Sequence, residues 1–335
     1  MAATIDQVAK RAGVSKATVS RVLNDSKPVR EETRLRVMDA VRELDFKPNP
    51  AARSLVYKKS RTLGVVVTDI ANLFVSVLVK GIEEIAYSNN YNIFICNSHA
   101  SAKKELELLM MLRDKRVDGI IFLTSRIKED HKAFFKSSQL PIALVNVGYD
   151  DDNVVGIRID NHRAAYDMTS YFINKGFERI GMIRAALDDI YTGRDRFFGY
   201  CQALEDHNIP YRDELVRTAA LEAIDGYRAA SEMCKNGLNL QALFVACDLM
   251  AFGAIKALID HGLKVPEDIE VAGFDDVPMA TYYHPALTTV RQPIEDMGRV
   301  ASEKLINLIE GKGGQGGELV LPHQIIFRDS TSESL

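Results

Sequence analysis

The sequence has no apolar run approaching the roughly 18 residues that a membrane-spanning helix needs, although 47% of its 335 residues are hydrophobic. Cysteine is sparse. Cys96, Cys201, Cys234 and Cys247 stand far apart, with no CxxC or mixed Cys/His spacing, which argues against disulfides, zinc and iron-sulfur clusters. The seven histidines are scattered and none is paired at metal-ligand spacing. The motifs GxxxxGKS/T, HExxH and GxSxG are absent. GKGGQGG at 311–317 has no Ser or Thr after its lysine and no strand pattern before it, so it reads as an exposed loop. The expectation is a protein that is not an enzyme and carries no metal or cofactor. The segment MAATIDQVAKRAGV becomes charged at Lys10 and Arg11 before an apolar core can form, so it does not read as a secretion signal. A cytoplasmic location with no membrane partner is expected.

What the chain does have is a charge asymmetry hidden in its net charge of −4. Residues 1–59 carry 13 Lys and Arg against 7 Asp and Glu, leaving 29 against 39 for the remainder. A basic head on an acidic body is the electrostatic footprint of a nucleic-acid binder. The length also exceeds what one compact core usually holds, so more than one domain is expected.

The head reads as three short helices. Thr4 followed three positions later by Gln7 has capping-box spacing, and Ile5, Val8, Ala9 and Ala12 share a face until Gly13 supplies a left-handed stop. Ser15 opens a second helix with Val19, Val22 and Leu23 inward, leaving Lys16, Ala17 and Arg21 outward. Glu31 and Glu32 suit the first turn of a third, whose expected inward face is Leu35, Met38, Val41 and Leu44. In a helix-turn-helix unit the second helix enters the major groove, where Lys16, Ala17 and Arg21 fit the role of reader.

The segments TIDQVAKRAGVSKATVSRVLN and VREETRLRVMDAVRELDFKPNPAARSL resemble the DNA-binding head of the lactose repressor/galactose repressor family of bacterial transcription regulators. The resemblance implies that Lys16 and Ala17 choose between operators, and that Thr4, Thr18, Ser20, Arg21 and Asn24 add more general contacts. Arg21 is the expected partner of a guanine. Asn49 and Pro50 look like the N-cap and first turn of a short hinge helix over AARSLV. There the resemblance adds Asn49 and Ala52 as DNA contacts and Leu55 as a minor-groove wedge. Lys58, Lys59 and Arg61 are expected near phosphate or in solvent.

From about residue 62, β-branched runs such as LGVVVTDI, DGIIFLT, ALFVACD and IEVAGFDD alternate with helical patterns, the signature of parallel βαβ units. The fold class expected is therefore an all-α helix-turn-helix head (lambda-repressor-like) at 1–47, a hinge helix and linker at 48–61, and an α/β core at 62–335. The resemblance arranges that core, with its parallel sheets, as two periplasmic-binding-protein-like lobes, 62–160 plus 292–325 and 161–291. Ligands in such sheets sit beyond the carboxyl ends of strands. That rule selects 69–74, 97–99, 146, 160, 184–196, 247–248 and 275–276. Within TGRDRFFGY and VAGFDD the resemblance points to Arg196 and Asp275 as effector contacts, with Phe74 as a stacking surface and Asn146, Asp160 and Thr192 as further ligands. Cys247 departs from the family's small polar residue there. Arg184 departs from a common glycine, and as a cation it would favour an anionic effector.

The expected function is sequence-specific DNA-binding transcriptional regulation, as a repressor. A homodimer on near-palindromic double-stranded DNA would be modulated by a small-molecule effector, a sugar or sugar derivative, held between the lobes. KGIEEIA and KELELL also resemble the catabolite control proteins, which leaves a phosphoprotein corepressor open. The competing classes are a stand-alone sugar-binding protein and a sugar-metabolising enzyme.

Overall fold

The computed structural model describes residues 3–24, 28–46, 60–149, 151–312 and 316–332. The chain divides into two compact units, 1–60 and 61–335.

The first unit contains α1 (Ile5–Ala12), α2 (Lys16–Asn24) and α3 (Glu31–Glu43). Thr4 and Gln7 form the reciprocal capping box, with the Thr4 backbone N–H donating to Gln7 Oε1 at 2.8 Å. Gly13 takes φ 65°, and its N–H closes the end of α1 on Ala9 and Lys10 carbonyls. The Ser15 hydroxyl accepts from the Thr18 N–H at 3.1 Å and so starts α2. Val8, Ala12, Val19, Val22, Val37 and Ala40 form the small core. The inward face expected for α3 needs correction: Leu35 and Met38 are 53% and 36% exposed, and Val37 and Ala40 are buried with Val41 and Leu44 beside them. Four residues in steps of three drift about 60° per step around a 3.6-residue helix, so they cannot share one face.

The second unit holds two six-stranded sheets. Strands β1 (Thr62–Val67), β2 (Asn92–Asn97), β3 (Gly119–Leu123), β4 (Ile142–Val145) and β5 (Val154–Ile159) form the first, in order β11-β5-β4-β3-β1-β2, where β11 is Gly317–Leu321. All its pairings are parallel. The second sheet comprises β6 (Ile180–Arg184), β7 (Val216–Thr218), β8 (Ala242–Val245), β9 (Glu270–Asp275), β10 (Thr288–Arg291) and β12 (Gln324–Ile326), in order β12-β10-β9-β8-β6-β7. Only its edge pairing, β10 with β12, is antiparallel. The inner strands β1, β3, β8 and β9 are buried almost throughout, as continuous apolar strands covered on both faces must be.

The helices covering the first sheet include α4 (Leu73–Ser88), α5 (Ala102–Asp114), α6 (Glu129–Ser138) and, late in sequence, α12 (Ile294–Glu310). Those of the second are α7 (Asn161–Asn174), α8 (Arg196–Asp206), α9 (Ala223–Lys235), α10 (Asp248–Asp260) and the short α11 (Met279–Tyr282). Some pack at backbone distance: a Cβ on Gly253 of α10 would stand 1.8 Å from the Ala223 carbonyl oxygen of α9.

The chain passes between the sheets three times, after β5, after β10 and after β11. The last passage shifts the lobe boundary drawn from sequence. Gln324 and Ile325 pair with β10 and belong to the second lobe, not to the first, because the tail is fastened there. The Ser330 hydroxyl donates to the Val271 carbonyl at 2.7 Å, and Lys175 Nζ bonds both Glu270 and Ser332. Among the described residues no helix is long and apolar enough to cross a membrane.

Candidate functional site

On the head, the outward surface of α2 presents Ala17 and Arg21, both exposed. Lys16 is exposed as well and pairs with Asp6 of α1 at 2.5 Å. Such a solvated pair is worth little, about 0–1 kcal/mol, and can open to a phosphate or base. Thr18 is half-buried, its hydroxyl 2.9 Å from that of Ser15, and Ser20 is half-buried. Thr4 is exposed and committed to its capping box. Asn24 ends α2, and its side chain lies outside the described residues, as do Asn49, Ala52, Leu55, Lys58 and Lys59 entirely. Arg61 is exposed, in keeping with the solvated alternative; its Nη1 lies 3.5 Å from Glu310 and its guanidinium stacks over Tyr91.

Within the second unit a cavity lies between the two sheets, at the carboxyl ends of their strands. It is lined by Phe74, Asn146, Thr192, Arg196 and Asp275 among others. Arg196 anchors it. The side chain is 1% exposed, its Nε donates to Asn161 Oδ1 at 2.8 Å, Nη1 donates to the Ala246 carbonyl, and the guanidinium sits 3.5 Å from the Phe274 ring centroid. Asp275 Oδ1 lies 3.8 Å from Nη1 and accepts from Gln292 Nε2 at 2.7 Å. These contacts use Nε, Nη1 and Oδ1, so Nη2 and Oδ2 are left for a ligand. A cationic donor beside an anionic acceptor suits the donor and acceptor sites of neighbouring hydroxyls.

Local backbone places these groups. Thr192 sits in a π-helical turn, Ile190–Asp195, that runs directly into α8 at Arg196. A Cβ on Gly193 would stand 1.9 Å from the Ala186 carbonyl oxygen, so glycine is needed to seat that turn. Asp275 has φ 124° at the end of β9, and Asn146 has φ 67° after β4. Asn146 Oδ1 is buried without a hydrogen-bond partner among the described residues.

Burial pushes Asp275 up to about 6, against the opposing charge of Arg196. It also raises Asp248, which lies under the cavity, with the negative charge of Asp275 adding to the effect. Asp189 is raised by burial too, while backbone N–H groups of its own turn hold it down. Carboxylates thus outnumber the guanidinium around this cavity. Arg184 is not among the cavity-lining residues: it stacks over Phe197 at 5.0 Å and bonds the Ala185 carbonyl, so the cleft charge expected of it is not supplied.

Asp160 is not brought to the cavity. It is exposed and caps α7, accepting from the Arg163 N–H at 2.9 Å. Asp276 pairs instead with Arg291 and Arg328. Conversely, Thr124, Ser125, Leu221, Leu249 and Val277 line the cavity without having been selected. The strand-end rule applied to DGIIFLT would have found the first two. The lobes meet at the cavity's rim, where Arg126 pairs with Asp188 at 2.6 Å and the Gly148 N–H donates to the Tyr191 hydroxyl at 2.9 Å.

A helix-turn-helix head carried with a two-lobed, ligand-binding type of body defines a DNA-binding transcriptional regulator. The description "Bacterial regulatory proteins, lacI family" matches residues 4–49, and "Periplasmic binding protein-like domain" matches 169–331. The HTH-type transcriptional regulator RegA of Clostridium saccharobutylicum is 37% identical over 331 residues, covering 99% of this chain and all of the relative. Among solved structures, the Lac repressor dimer bound to operator and the anti-inducer ONPF superposes with a TM-score of 0.88 at 26% identity, covering 99% of each chain. A transcriptional regulator CelR–cellobiose complex superposes with a TM-score of 0.75 at 29% identity, covering 98% of this chain and 99% of the other. The chain belongs to the lacI family of bacterial transcriptional regulators.

Proposed function

We propose that this regulator is a repressor that binds a near-palindromic operator as a homodimer, with a small neutral carbohydrate in the cleft setting its operator affinity. Lys16 and Ala17 select the sequence and Arg21 reads a guanine, with Thr18, Ser20 and Asn24 adding contacts. The hinge residues Asn49, Ala52 and Leu55 are assigned on sequence resemblance. The observation that carries the effector reading is the buried Arg196–Asp275 pair with unengaged polar atoms facing the cavity. Its volume is about 100 Å³, on the order of three waters at their liquid share of about 30 Å³ each, which suits a small ligand. The cellobiose complex of a relative supports the sugar class.

For the dimer, the support is the edge strand β2. Phe94 and Ile95, which point to opposite faces, are 50% and 39% exposed, and an uncovered apolar edge invites a partner. Phe94→Asp is expected to yield a monomer in analytical ultracentrifugation.

The deciding experiment is a gel shift with genomic fragments, repeated with and without sugars first selected by thermal shift. Specific, salt-sensitive retention that changes with sugar supports the reading. Equal affinity for all fragments refutes DNA-sequence recognition, and retention indifferent to every stabilising sugar refutes effector control.

A further inference from the structure

The cavity lining combines charged and polar groups with an apolar set contributed largely by the second lobe, and that combination restricts the ligand more narrowly than its size does. Arg196 and Asp275 line it, with Nη2 and Oδ2 unengaged by the contacts described above. Beside them in the second lobe, Leu221, Cys247, Leu249 and Val277 line the same cavity and join Phe74 of the first lobe in one apolar cluster. Cys247 sits where this wall meets the charged pair. It is 6% exposed, and its sulfur already caps α10 by accepting from the Met250 N–H at 3.5 Å. Burial and the nearby Asp275 charge push the thiol up, so it is neutral at physiological pH. A neutral, already engaged sulfur flanked by leucine and valine offers no good partner to a hydroxyl placed against it, whereas a methyl or methylene group packs there without loss.

We propose that the effector is a deoxy sugar whose ring hydroxyls engage Arg196 and Asp275 and whose deoxygenated carbon lies against Cys247, Leu221, Leu249 and Val277. Cys247 is the residue that sets this preference. The inference rests on the carbohydrate reading above. An apolar surface discriminates against one added hydroxyl by on the order of tenfold to a hundredfold.

Calorimetry on the full chain with matched pairs tests it: D-fucose against D-galactose, L-rhamnose against L-mannose, and 2-deoxy-D-glucose against D-glucose. At least one deoxy member is expected to bind ten to a hundred times more tightly than its partner. Cys247→Ser keeps a good N-cap for α10, so the fold should survive, and it is expected to shrink that ratio to a few-fold by improving the hydroxylated member. Cys247→Ala is expected to leave the ratio unchanged. If the hydroxylated sugars bind as well as or better than their deoxy partners, or if Cys247→Ser leaves the ratio intact, the deoxy inference is overturned while the carbohydrate reading stands. If no sugar gives heat or raises the melting temperature, both are overturned together.

Discussion

The buried carboxyl of Asp275 is expected to make protein stability and the affinity for the proposed effector respond to acid in opposite directions. Burial raises Asp275 to about 6, against an unfolded value near 3.9. Because the folded state binds this proton first, the group lowers stability at neutral pH, and stability is regained as pH falls from above 6 towards 4. Two pH units at 1.36 kcal/mol each set the contribution at about 3 kcal/mol. Asp248, raised by burial and by the same Asp275 charge, adds in the same direction. An effector hydroxyl donating to Asp275, by contrast, is held more strongly by the ionised form. Its association constant should therefore fall by up to tenfold for each pH unit below 6. The assay is differential scanning fluorimetry of the full chain between pH 4.5 and 7.5, with and without a stabilising sugar. The sugar-induced increment in melting temperature should collapse below pH 6 in the wild type. In Asp275→Asn it should be small at every pH, and the difference in stability between variant and wild type should itself change between pH 6 and 4. An increment that stays constant with pH in the wild type, or one that falls identically in Asp275→Asn, would refute the role given to this carboxyl.

Other outcomes follow from the same geometry. Arg21→Ala should cost about 1–3 kcal/mol of discrimination between operator and mismatched DNA while sugar-induced stabilisation persists, as competition gel shifts and thermal shifts would register. Asp188→Asn removes the rim contact with Arg126, a half-exposed pair worth about 0–1 kcal/mol. The expected result is an effector off-rate a few-fold faster in stopped-flow measurements, with an unchanged unliganded melting temperature. Gly253→Val drives a side chain into the Ala223 carbonyl; overpacking of this kind costs about 1–3 kcal/mol or more, visible as a lowered urea midpoint or loss of soluble protein. Phe94→Asp should leave the unfolding of each lobe intact while lowering the sedimentation coefficient to that of one chain.

Much of the architecture could be read from local pattern. The capping box at Thr4, the left-handed Gly13 and the runs that became β1, β3, β8 and β9 carry their signals within a few residues, because helix caps and doubly covered strands are chosen by nearby side chains. The third helix of the head was misread at Leu35 and Met38, where a three-residue repeat imitated a helical face. Strands β7 and β12 are too short to show a period, and β12 takes its place from pairing with β10.

The site divides in the same way. The strand-end rule picked out the stretches that hold Arg196 and Asp275, and the family resemblance of TGRDRFFGY and VAGFDD singled out these two residues within them. Sequence alone could not show that Asp160 is spent on capping α7, that Arg184 lies over Phe197, or that Leu221 and Val277 share a wall with Cys247. Those facts depend on which strand ends the sheet order makes neighbours and on where the chain crosses between lobes. Folding decides them by burying distant apolar side chains together, and such long-range choices leave no periodic trace in the sequence.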